Sequence, residues 1–174
     1  MKKRDRVTLA IFIFVTITAG GYGYLLDQVL TEQPEGNSLG MGLWLVLPCL
    51  TGVILQILNR DLKQIGLRVG RKNNLKWYIF SVALFPFIML VSIIAAKIMN
   101  GLVINDVALS GLFGLILGTF LANCLKNIFE EFAWRGCLVP FLEKTGMNDW
   151  FLYLVNGLIW GSWHITYYLF FLPD

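Results

Sequence analysis

Apolar residues in this chain fall into five runs of about twenty, parted by short polar segments. The runs lie at about 7–28, 41–59, 77–99, 103–125 (with polar helical character running on to 143) and 150–172. A helix of about 20 residues crosses the ~30 Å hydrocarbon core of a bilayer while satisfying its own backbone hydrogen bonds. The pattern therefore predicts an all-α, polytopic transmembrane bundle of about five spans. No repeat, linker or low-complexity tract divides it, so residues 1–174 read as one membrane domain.

Composition agrees with that reading: 57% of residues are hydrophobic and 14% charged, against roughly 25% charged in soluble domains. The placement of the charges adds an orientation. Lys2, Lys3, Arg4 and Arg6 precede the first run, and Arg60, Lys63, Arg68, Arg71, Lys72 and Lys76 fill the segment between the second and third. Basic segments stay on the cytosolic side, so the N-terminus is expected there. The opposite loops carry Asp27, Glu32 and Glu35, and then little beyond Lys97 and Asp106. Trp77 and Trp150 open the third and fifth runs at the interface that indoles favour. The first run continues to Leu30, too long for the ~7–15-residue core of a cleavable signal peptide.

Several function classes drop out. The basic segment is accounted for by lipid attraction and lacks the stacking aromatics of a nucleic-acid surface, so no nucleic-acid partner is expected. Ala19-Gly20-Gly21-Tyr22-Gly23 follows no strand and is not a dinucleotide loop. Cys49, Cys124 and Cys137 have no metal-like spacing and read as small buried hydrophobes. Ser110, Gly114, Gly118 and Ala122, and again Gly157 and Gly161, place small residues four apart, where another helix is expected to approach closely.

The chemistry concentrates at the end of the fourth run. Asn123, Asn127, Glu131 and Arg135 form a stripe at four-residue spacing, with Glu130 about 100° around the helix. The fifth run answers with Asn156, Trp160, His164 and Tyr168. With Gly146 as the turn between the two helices, Glu131 lies 15 residues before it and His164 18 after, a mismatch of about 4.5 Å of rise. Gly136 and Pro140 predict a kink just after the acids. Glu131 stands four residues before Arg135, the favoured order for an ion pair. Glu130 has no such partner and suits a general base acting on water. His164, the only histidine, would donate to the oxyanion, with Asn127 and Trp160 in support. The same residues also fit a plainer reading, a solvated ion pair on a helix extension beside a packed histidine. Ionisable groups in or beside a span weigh toward function.

Glu130-Glu131-Phe132-Ala133-Trp134-Arg135-Gly136 resembles the E-E-x-x-x-R signature of the CAAX-protease and bacteriocin-processing family of intramembrane proteases, also called the Abi family. Trp160-Gly161-Ser162-Trp163-His164 resembles the second family motif, F-x-x-x-H, with Trp in place of Phe. Gly66-Leu67-Arg68 ahead of the third run adds to the likeness, which covers Gly66 to the end. The resemblance implies a bacterial plasma-membrane peptidase in which Glu130 activates water, Glu131 and Arg135 position it, and His164 assists at the carbonyl. The implied substrate is a membrane-presented peptide or a prenylated protein, and the partners are membrane lipid and that substrate. The family was named for metalloproteases. A zinc ion here would rest on Glu130, Glu131 and His164, and a metal-free glutamate mechanism is slightly favoured. In the family another helix follows, with a second histidine and an Asn or Asp four residues on, whereas this sequence ends at Pro173-Asp174. The C-terminal family helices are therefore expected to be absent. A fragment, a partner that supplies the missing helices, or a non-catalytic relative acting by binding, as in bacteriocin immunity, are the readings that follow.

Overall fold

The structure, a computed structural model, describes residues 1–34, 37–65, 74–99, 101 and 106–172. Its described residues form helices and connecting turns: α1 (Lys3–Val29), α2 (Leu39–Asn59), a 3-10 turn (Leu62–Ile65), α3 (Leu75–Ile98), α4 (Asp106–Ala133), a π-helical segment (Trp134–Leu138), α5 (Val139–Glu143) and α6 (Asp149–Phe170). All five apolar runs are helices within a few residues of their expected bounds. The polar extension to residue 143 is helical too. The expected kink takes the form of the π segment, where the Val139 N–H bonds Trp134 five residues back.

Among the described residues α1, α2 and α3 are long and apolar enough to cross a membrane, with mean hydropathies of 1.8, 2.1 and 2.6. Helices α4 and α6, 28 and 22 residues long, match spans in length. The polar residues of α4, Lys126, Asn127, Glu130 and Glu131, gather toward its C-terminal end, and α6 carries Asn156, Ser162 and His164 along its length.

The chain divides into two units. Met1–Gly66 with Asn123–Asp174 form one, and Leu67–Ala122 the other. In the second unit, α3 has Pro86 within it and no buried residue. The first unit holds the core, with Phe12, Trp44, Cys137, Leu138, Phe141 and Trp163 among its most buried side chains.

Helix α2 is the centre of this core, and hydrogen bonds to it and from it close gaps left by proline. Pro48 has no N–H, so the carbonyl of Trp44, four residues earlier, loses its helical donor. The indole of Trp163 fills that place, with Nε1 donating to Trp44 O at 3.3 Å. The contact is reciprocal: Trp44 Nε1 donates to Trp163 O at 3.2 Å, and the two rings stack at 4.1 Å. Pro140 leaves Gly136 in the same position, and the buried Gln56 donates from Nε2 to Gly136 O at 2.5 Å. Below these rungs Asn59 bonds Thr8, and Lys144 pairs with Asp61 at 2.6 Å. The Lys144 hydrogen bond holds the Asp61 carboxyl below the usual range.

Within the first unit close helix approach occurs at Gly20, Gly23, Gly40 and Gly52. A Cβ at Gly23 would strike the carbonyl of Gly40, and one at Gly20 would strike Thr166. At Gly52 it would lie 2.5 Å from Cys137 Sγ. At Gly157 and Gly161 an added Cβ meets nothing within 4 Å among the described residues. The hairpin of α1 and α2 is closed at the opposite end by Asp27, which accepts from Gly40 N at 2.8 Å and from the Ser38 hydroxyl.

The Trp44 carbonyl gives a testable coupling. Trp163→Phe is expected to destabilise the protein in detergent by about 1–3 kcal/mol, the cost of a buried unpaired polar group. Pro48→Ala restores a backbone N–H, so the double variant should be more stable than the sum of the single effects by about 1 kcal/mol. Strict additivity in equilibrium unfolding would show that the indole is not serving that carbonyl.

Candidate functional site

Helix α4 runs through the acid pair before it changes to π geometry at Trp134, so Glu130, Glu131, Trp134 and Arg135 leave the chain on one flank. Across from them α6 begins after Gly146, whose φ of +74° makes the turn, and after Asn148, whose side chain accepts from Phe151 N at 2.9 Å. Tyr153, Asn156, Gly157 and Trp160 then follow at helical three- and four-residue spacing. Together with Val139 these two flanks line a cavity of about 670 Å³. Gly157 is here a place where the wall stands back.

The two glutamates have different partners. Glu131 forms an ion pair with Arg135, one turn on, as their order predicts; both are exposed. Glu130 accepts a hydrogen bond from the indole Nε1 of Trp160 at 2.8 Å, across the helix pair. Its partner is therefore neutral, and the bond orients the carboxylate. Two further polar atoms of lining residues, Trp134 Nε1 and Asn156 Oδ1, are buried without a partner from the protein. They leave a donor and an acceptor uncommitted beside the acids.

His164 stands one turn beyond Trp160. Its Cα is about 6 Å of helical rise beyond that of Trp160, its imidazole reaches back to the Trp160 ring, and it is not among the lining residues of the cavity. Its ring lies 4.0 Å from that of Trp160 and 4.6 Å from that of Trp163. Nδ1 is 3.1 Å from the carbonyl oxygen of Trp160. A carbonyl can only accept, so Nδ1 carries the proton and Nε2 is the uncommitted nitrogen. In the neutral ring Nε2 accepts; only the protonated ring presents an Nε2–H that could polarise a carbonyl.

Of the residues expected at the site, Glu130, Glu131, Arg135 and Trp160 are thus brought together. His164 joins them through Trp160. Asn127 is exposed and lies outside the cavity lining. Tyr153, Trp134 and Val139 were not expected; the signal for Tyr153 was its position one turn before Gly157 on the polar face of α6.

A metal ion does not fit these residues. Among the described residues no group of three or more His, Cys, Asp or Glu side chains could hold one. Glu131 is paired with Arg135, Glu130 accepts from Trp160, and His164 is not among the residues that line the cavity with them.

Residues 112–173 match a family model described as type II CAAX prenyl endopeptidase Rce1-like. No curated protein and no solved structure matches the chain. The match spans both motifs and the whole cavity lining. Three apolar helices together with a membrane protease family make this an integral membrane protein.

The cavity can be tested without reference to chemistry. Gly157→Leu should fold as well as the parent, because the added side chain meets open space and leucine favours a helix over glycine by up to about 1 kcal/mol. It should also fill the cavity and abolish binding of any peptide that occupies it. Unchanged binding by a well-folded variant would show that the ligand lies elsewhere.

Proposed function

We propose that this chain, whose residues 112–173 match the family model described as type II CAAX prenyl endopeptidase Rce1-like, is an intramembrane endopeptidase whose water is activated by Glu130. The observation that carries the reading is the unequal treatment of the acids. Both line the cavity, but Glu131 is ion-paired with Arg135, whereas Glu130 accepts from the neutral indole of Trp160 through one oxygen and has no cationic partner among the described residues.

In the reaction Glu130 takes a proton from water as the oxygen attacks the scissile carbonyl carbon. The tetrahedral intermediate collapses with cleavage of the C–N bond, and Glu130 returns the proton to the leaving amine. The water oxygen ends in the new carboxylate. Arg135 holds Glu131 as a fixed wall of the site. His164, when protonated, offers Nε2–H to the oxyanion. The substrate is a membrane-presented peptide, of the prenylated C-terminal kind that the family name describes or another processed peptide. The setting is a bacterial plasma membrane with the N-terminus and the basic segment after α2 on the cytosolic side. A partner that contributes further helices to the site belongs to the same proposal.

A second reading, a membrane protein that acts by binding, as in bacteriocin immunity, is favoured by one observation: His164 lies outside the cavity lining. The two readings separate on mutation. Glu130→Gln, nearly isosteric, should lower cleavage of a membrane-presented peptide by at least about 10²-fold, the scale of a lost general base, with no change in expression or folding. Full turnover by this variant would remove the peptidase reading. Protection of cells that persists when Glu130 and His164 are both replaced would favour binding.

A further inference from the structure

We propose that Trp160 is the positioning residue that aims both reactive side chains, an inference that rests on the peptidase reading above. Three contacts converge on this one residue. Its indole Nε1 donates to Glu130 Oε1 at 2.8 Å. Its backbone carbonyl accepts from His164 Nδ1 at 3.1 Å. Its ring lies against the imidazole, with centroids 4.0 Å apart.

Each contact has a chemical consequence. With Oε1 bound, the carboxylate of Glu130 cannot rotate freely, and Oε2 remains as the oxygen that receives the proton of water. The donor is neutral, so the base is oriented without the charge cancellation that Arg135 imposes on Glu131. With Nδ1 bound, the imidazole is held in one tautomer and presents Nε2. Trp160 also carries the link across two helices, because Glu130 is on α4 and His164 on α6. In the second motif, phenylalanine at this position would pack against the histidine but would have no N–H for the glutamate. The tryptophan of this chain therefore adds a bond that a phenyl ring cannot make.

The test has a spectroscopic arm and a kinetic arm. In the full chain labelled with 15N-tryptophan, the Trp160 indole signal is identified by its loss in Trp160→Phe, or in Trp160→Tyr if the first variant folds poorly. Glu130→Gln should move that signal more than any other of the six tryptophans' signals. A Trp160 signal unmoved by Glu130→Gln would overturn the proposal, whatever the activity. On a membrane-presented peptide Trp160→Phe should lower kcat about tenfold or more, the scale of a misplaced reacting group, with KM within about twofold and an unchanged melting temperature. Parental kcat in Trp160→Phe, alongside an inactive Glu130→Gln, would overturn the positioning role and leave the peptidase reading standing. Full activity in Glu130→Gln would overturn both.

Discussion

The carbonyl of Trp44 is the point from which the arrangement of the first unit is best understood. A proline within a helix strands a carbonyl four residues back, and in a bilayer no water is at hand to take it. Here the Trp163 indole supplies the donor, and the Trp44 indole returns the bond to the Trp163 carbonyl. Such a reciprocal pair cannot form at another rotation of α6, because both indoles and both carbonyls must face each other. The rotation of α6 in turn decides where Trp160 and His164 point. Gln56 performs the same service for Gly136, beside Pro140, and so fixes the helix that carries the acids just after its π segment. One helix, α2, thus holds both halves of the site from behind without lending it a residue.

That support explains how two adjacent glutamates come to have different chemistry. Neighbouring residues on a helix diverge by about 100°, so Glu131 falls over Arg135, while Glu130 faces α6 and meets an indole. One carboxylate is neutralised and the other is only oriented. The cavity between the helices exists because α6 presents Gly157 where a larger residue would fill it, and because Trp134 and Asn156 leave polar atoms unspent at its edge.

Much of this was legible in the residues themselves. Apolar run length located the five long helices, since the bilayer sets that length directly. Four-residue spacing gave the Glu131–Arg135 pair, a purely local interaction. Gly136 with Pro140 foretold the break after the acids. What depended on contact between distant segments was harder to see. Gly157 and Gly161 have the spacing of a packing motif, yet the close approaches are at Gly20, Gly23, Gly40 and Gly52, because small residues permit contact without specifying which face is used. Level arithmetic about Gly146 set His164 beside Glu131. The π segment lies in the first arm, and Glu130 meets Trp160, against whose ring the imidazole of His164 lies at 4.0 Å. The service of Trp163 to the Trp44 carbonyl needed both the proline and the partner helix in place to be recognised.

In the proposed reaction a water molecule, and not a side chain, is the nucleophile. Rapid quenching of a membrane-presented peptide cleaved in H₂¹⁸O, followed by mass spectrometry of peptide and protein, examines this directly. The new carboxylate should carry one ¹⁸O from the first turnover, with the protein at its unmodified mass throughout. A protein species carrying the acyl half of the peptide, formed and consumed at the rate of turnover, would contradict the account.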